Sequence, residues 1–204
     1  MMPHTLMMLA VALITVLCSA LSWAGFKEGA EAYQRGDYTT ALKEFRSLAE
    51  QGDVGAQYVV GMMYFKGNGV PQDYKEAVRW FRLAAEQGNS LAQVNLGNLY
   101  LLGKGVPQDD TEALKWLRPA AEEGVNTAQM KLGIIYQSGK GVPQDYIHAH
   151  MWFNLAGVQG NKKAAELRDN LAKQMTPVQI AEAQRLARVW RPKKHAFHSG
   201  GSGE

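Results

Sequence analysis

The sequence contains one cysteine, Cys18, in 204 residues. A single thiol excludes an intramolecular disulfide framework and a multi-cysteine zinc site. No HExxH, GxSxG or Walker-type loop occurs, so the usual signatures of zinc hydrolysis, serine hydrolysis and phosphate cradling are missing. Residues 1–24 also lack Asp, Glu, Lys and Arg altogether. From Leu6 to Ala24 the chain is nearly all apolar, and Ser22 and Ala24 stand where a signal peptidase reads small residues. The pattern predicts a signal peptide over 1–24, cleaved between Ala24 and Gly25, although little positive charge precedes Leu6. One alternative is an uncleaved anchor, because this run makes about 28 Å of helix, close to a bilayer core. Another is a lipidated Cys18, disfavoured by Leu17 just before it. Cleavage would remove Cys18 and with it any thiol chemistry.

What the sequence does have is apolar residues at 46% and charged residues at 20%, enough for a packed core. Lys and Arg number 22 against 19 Asp and Glu, a net charge of +3, which invites a nucleic-acid reading. The distribution weakens that reading. Arg191, Lys193 and Lys194 outweigh Glu204 in the last fourteen residues, leaving 25–190 at +1. Glycine is frequent, at 21 residues.

The glycines belong to an internal repeat. Asp37, Asp73, Asp109 and Asp145 lie 36 residues apart, defining windows 37–72, 73–108, 109–144 and 145–180. Three of these aspartates end a Val-Pro-Gln-Asp string. Every window has Ala at its fifth residue (Ala41, Ala77, Ala113, Ala149) and Gly fifteen residues after its Asp (Gly52, Gly88, Gly124, Gly160). The first three windows share Gly61, Gly97 and Gly133, each followed three residues later by Tyr, and a Gly-x-Gly pair.

The window from Asp73 reads as two helices. Tyr74, Ala77, Val78, Phe81, Ala84 and Ala85 mark one wide apolar face, and Gly88 suits a left-handed helix stop. Ser90 to Leu102 is the second helix, ended by Gly103-Lys104-Gly105-Val106-Pro107. Gly97 lies in its middle, where glycine costs about 1 kcal/mol against alanine. That cost, repeated in three windows, predicts close helix–helix approach. Such a hairpin cannot bury its apolar face alone, so the expected fold is all-α: an α-solenoid of stacked 36-residue helix–turn–helix repeats.

At Ala113–Gly124 (A-L-K-W-L-R-x-A-A-E-x-G), at Ala128–Tyr136 (A-Q-x-x-L-G-x-x-Y) and in the Gly-x-Gly-Val-Pro-Gln-Asp loops, the chain resembles the Sel-one-like repeat, a relative of the tetratricopeptide repeat. The resemblance covers 37–160. It implies a right-handed superhelix, in which the first helices line a concave surface, that serves as a scaffold for protein–protein contacts, often in bacterial envelopes. The implied location is periplasmic or secreted, with inner-membrane anchoring as the alternative. Some relatives carry a disulfide in each repeat and are linked to β-lactam binding; the cysteines are absent here.

The ends read as caps. Residues 26–35 form a lone helix stopped by Gly36, and 177–190 form a C-terminal helix behind Thr176-Pro177-Val178-Gln179, a capping-box start. The solenoid thus occupies 25–190, and 191–204 read as a flexible basic tail.

No residue is assigned a catalytic, cofactor-binding or metal-binding role. His148 and His150 point to different helix faces, and His150 takes a position held elsewhere by Leu42, Val78 and Leu114, which predicts a buried structural histidine. Trp80, Trp116 and Trp152 share one window position and are expected to pack between hairpins. One pattern is a candidate site. Lys43 and Arg46, Arg79 and Arg82, and Lys115 and Arg118 recur in pairs three residues apart on the first helix of windows one to three. They form either a basic ladder for an acidic protein or peptide partner or a solvated face, since Glu76 and Glu112 can pair with Arg79 and Lys115. The leading expectation is a non-enzymatic exported scaffold that binds proteins or peptides through a concave groove, with no nucleic acid. Membrane contact would come only through an uncleaved N-terminal segment. A cell-wall-modifying or other hydrolase is the first rival, and nucleic-acid binding the second.

Overall fold

The computed structural model describes residues 23–193, which are helical with no strand among them. A first helix, α1, spans 23–34. It is followed by α2 (Tyr38–Glu50), α3 (Val54–Lys66), α4 (Tyr74–Glu86), α5 (Ser90–Leu102) and α6 (Asp110–Glu122). Next come α7 (Asn126–Ser138), α8 (Tyr146–Val158), α9 (Lys162–Ala172) and α10 (Pro177–Val189). The expected signal peptide and the tail from 194 onward lie outside the described residues, except that 23 and 24 already belong to α1.

Each repeated residue has a local job. The aspartate of Val-Pro-Gln-Asp is a helix N-cap: the Lys75 and Glu76 amides donate to Asp73 Oδ1 at 2.8 and 3.1 Å, and Asp109 receives Thr111 and Glu112 in the same way. The glutamine before it serves the helix behind. Gln72 Nε2 donates to the Phe65 carbonyl and Gln144 Nε2 to the Gln137 carbonyl, each at 2.8 Å. The loop closes on the repeated tyrosine, whose carbonyl accepts the aspartate amide (Asp73 to Tyr64 at 3.0 Å, Asp145 to Tyr136 at 2.9 Å). Gly69 in this loop has φ 76°, and a Cβ there would sit 2.6 Å from the Tyr38 carbonyl oxygen, so the loop passes too close to α2 for any side chain. Thr176 and Gln179 complete a capping box at the start of α10.

A buried glutamine ladder joins consecutive helices. Gln57, Gln93 and Gln129 are buried and donate from Nε2 to the carbonyls of Ala49, Ala85 and Ala121, at 3.2, 3.2 and 3.1 Å. These carbonyls lie in the last turns of α2, α4 and α6, where intrahelical donors run out, and each also accepts the amide of the following glycine, Gly52, Gly88 or Gly124. Gln159 Nε2 donates in turn to Gln129 Oε1 at 2.8 Å.

The described chain divides into two compact units, one ending at Ala84 and one beginning at Ala85. In the first, Phe45, Leu48, Val60 and Met63 form a core with Trp80, flanked by the half-buried Phe26, Tyr33 and Tyr38. Gly61 of α3 meets the Phe81 ring of α4, where an added Cβ would lie 2.7 Å from ring carbon. The second unit repeats that contact twice: Gly97 of α5 faces Leu117 of α6, and Gly133 of α7 faces Phe153 of α8, at 2.7 and 2.5 Å from a built Cβ. The mid-helix glycines therefore serve the pairing across the Val-Pro-Gln-Asp loop, from each window into the next. Helix α10 packs on α8, with Ala183 buried and the Trp190 ring edge-on to Trp152 at 6.3 Å.

Two boundaries differ from expectation. Helix α1 takes in Trp23, Ala24 and Gly25, ahead of the expected start at 26. Residues 191–193 are not free tail. The Lys193 amide donates to the Glu122 carbonyl at 2.8 Å, its ammonium lies 2.7 Å from Glu122 Oε2, and Pro192 lies over Gly124.

Candidate partner-binding face

All six cations singled out in the sequence are exposed, on α2, α4 and α6. Neighbours within the same unit meet several of them. Lys43 is 3.9 Å from Glu44, Arg46 Nε 2.9 Å from Glu50, and Arg79 Nε 3.2 Å from Glu76. The Arg79 guanidinium also lies 4.3 Å from the centre of the adjacent Trp80 ring. Lys115 pairs with Glu112, and Arg118 donates to the Tyr136 hydroxyl at 3.3 Å. The Glu50 hydrogen bond raises the Arg46 pKa, and the Glu112 hydrogen bond raises that of Lys115. Part of the positive charge on these helices is thus matched within the same turn.

The glycine-bearing helices have a different character. Helix α3 has Lys66 as its one charged residue, α5 has none, and α7 has Lys131. In the first unit, α1 and α3 bound an apolar cavity of about 360 Å³. Phe26, Ala30 and Tyr33 line it from α1, Tyr58, Val59 and Met62 from α3, and Phe45 from α2, with Gln34 and Lys66 as its polar residues. That volume falls in the range of natural binding pockets. In the second unit the same helix class leaves large apolar side chains in solvent: Leu91 at 53%, Leu102 at 63% and Ile134 at 43% exposed. Sequence reasoning missed these residues. The available signal was the near absence of charge in three helices whose apolar residues fall on every face.

Among the described residues, His148 and His150 have structural roles. His150 is 3% exposed on α8, and its Nδ1 has no hydrogen-bond partner. Burial, then the nearby Arg168 charge, pushes its pKa below the usual range, with Asp169 opposing. His148 serves the α8 cap, its Nδ1 2.6 Å from Asp145 Oδ2. His4, His195 and His198 lie outside the described residues. No group of three or more His, Cys, Asp or Glu able to hold a metal occurs among the described residues, and none of their helices is long and apolar enough to cross a membrane.

Tandem helical hairpins of fixed length, tied by repeated caps and glycine contacts, define an α-solenoid repeat protein. The chain belongs to the Sel1 repeat family: the family's repeat matches residues 54–89, 90–125 and 126–161, more than half of the sequence. It is similar to a Sel1 repeat protein from Oxalobacter formigenes, with 36% identity and a TM-score of 0.63, over 67% of this chain and 56% of that one. It is also similar to a protective antigen of uropathogenic Escherichia coli displaying an SLR fold, with 33% identity and a TM-score of 0.59, over 83% of this chain and 45% of that one. The chain thus spans about half the length of either structure. No curated protein matches it. Repeats of this family are typically protein-interaction scaffolds.

The family match also sets the phase. Its repeats open at 54, 90 and 126, on α3, α5 and α7, whereas the windows from Asp37 open on α2, α4, α6 and α8. Counted from the family's start, Arg79, Arg82, Lys115 and Arg118 fall on second helices, while Lys43 and Arg46 lie on α2, ahead of the first matched repeat. The first helices are the glycine-bearing ones, which carry the cavity and the exposed leucines.

Proposed function

We propose that the chain is an exported, non-enzymatic scaffold that binds a protein or peptide segment through the outward faces of its glycine-bearing helices. The observation that carries this reading is the cavity between α1 and α3. Its aromatic and aliphatic lining suits the apolar side chain of an inserted segment, and hot spots of this kind favour preformed apolar pockets. The six cations lie on the other helices, α2, α4 and α6, where partly compensated charge would speed encounter with an acidic partner more than it would add affinity. Export rests on the uncharged apolar segment 1–24 and the small residues at its end.

A photocrosslinking side chain at Met62 tests the groove, with one at the exposed Glu86 as comparison. A discrete protein adduct is expected from position 62 and not from position 86, and Val59→Trp should abolish it by filling the cavity. Identical adducts from both positions would overturn the reading. Fractionation with N-terminal sequencing tests export: a mature protein beginning at Gly25 in the periplasm or medium is expected, and a full-length cytoplasmic product refutes it. Turnover of reporter esters, β-lactams or peptidoglycan above the buffer rate would refute the non-enzymatic assignment.

A further inference from the structure

Lys131 sits in the middle of α7, with its side chain half-buried. It is the one charged residue in α5 and α7 together. Among the described residues no carboxylate lies within ion-pair distance of it. Four of the unit's acidic groups pair with other cations: Glu122 with Lys193, Glu166 with Lys163, Asp169 with Arg168 and Glu182 with Arg185. Burial alone pulls its ammonium below the usual lysine range. Among the described residues this partly desolvated cation therefore has no counter-charge, an unfavourable state that a partner anion would relieve.

The surroundings specify more than charge. Ile134 lies one turn beyond Lys131 and is 43% exposed. On α5, the residue one period before Lys131 is Asn95, between the exposed Leu91 and Leu102. An apolar surface holding one cation complements an apolar segment holding one anion. We infer that α7 docks a protein segment in which a single Glu or Asp side chain meets Lys131 while adjacent apolar side chains cover Ile134. A carboxylate paired in such a partly dry setting contributes more than one at a wet rim. The inference rests on the protein-binding reading above but concerns a different unit, so either can fail while the other stands.

The test uses the purified protein with its lysines converted to ¹³C-dimethyl-lysine, which keeps the charge, and follows each methyl signal by NMR. The probes are acetyl-Leu-Glu-Leu-amide, its neutral isostere acetyl-Leu-Gln-Leu-amide, and acetyl-leucine as a model chain terminus. The expected result is a saturable shift of the Lys131 signal with the Glu peptide, at least tenfold weaker with the Gln peptide, while Lys163 and Lys104 drift linearly. Ile134→Ser keeps the cation and should weaken the Glu peptide several-fold. A Lys131 response no larger than that of the exposed lysines means its stem only packs while its head stays in water, and overturns the proposal. A response to acetyl-leucine but not to the Glu peptide overturns it in favour of a chain terminus.

Discussion

The glycine-bearing helices α3, α5 and α7 and the charged helices α4 and α6 have the same length and repeat at the same period, yet they divide the work of the fold. The charged helices each bury one face and hold their ions in local pairs such as Arg79–Glu76 and Lys115–Glu112. The glycine-bearing helices carry almost no charge and spread their apolar residues around the helix, press against the next helix at their glycines, and still leave Leu91, Leu102 and Ile134 in water. Charge on a repeat surface marks the face that solvent already satisfies. Unsatisfied apolar surface and an unpaired cation mark the face with something left to bind.

The contrast can be broken most severely at Gly133. Gly133→Val places carbon inside the Phe153 ring and should destabilise the protein by about 3 kcal/mol, read as a lower urea midpoint. An equal bulk added at the exposed Lys115 should leave the midpoint nearly unchanged. Next in size is Gln129→Leu, which removes the side-chain donor to the Ala121 carbonyl, leaving it the Gly124 amide, and one of the two acceptors of Gln159, with an expected loss of about 1 kcal/mol in the same measurement.

His150 sharpens the contrast by pH. Its folded pKa is depressed, so as the pH drops below the ordinary histidine value of about 6.5 the unfolded chain takes up a proton that the folded chain refuses. Stability should then fall with falling pH, by at most about 1.4 kcal/mol per unit, down to the folded pKa. His150→Leu should flatten this part of the profile in thermal melts between pH 7 and pH 5. The smallest effect belongs to the charged face. Arg79→Ala should change stability by less than about 0.5 kcal/mol, because exposed pairs contribute little. The joint reversal Arg79→Glu with Arg82→Glu should leave the Met62 adduct in place. Its disappearance would restore the basic ladder as the binding element.

Most of the architecture was legible from residue spacing. The 36-residue period, the helix stops at Gly88 and Gly124, the capping box at Thr176 and the buried place of His150 follow from local backbone rules and from side-chain size at equivalent positions. The phase was not legible, because a cyclic pattern has no privileged starting point. The Gly61–Phe81 and Gly133–Phe153 contacts show which pairing the glycines serve, and they cross the loop that separates one window from the next. The role of Gln57, Gln93 and Gln129 was also hidden, since a repeated Ala-Gln reads as a surface amide until the carbonyl it serves is seen.

The candidate site was less legible still. Six regularly spaced cations are conspicuous in a sequence, and spacing already offered Glu76 to Arg79 and Glu112 to Lys115, but the partners Glu50 and Tyr136 emerge only when side chains are placed. The cavity between α1 and α3 needs Phe26, Phe45 and Met62 brought together from three helices. The sequence by itself determined the helices, their ends, their period and the family, because caps, glycine stops and apolar spacing act over a few residues. Tertiary structure alone decided which helices pair tightly, and where apolar surface and the Lys131 ammonium stay uncompensated. Those properties are sums over neighbours distant in the chain, and no local rule contains them.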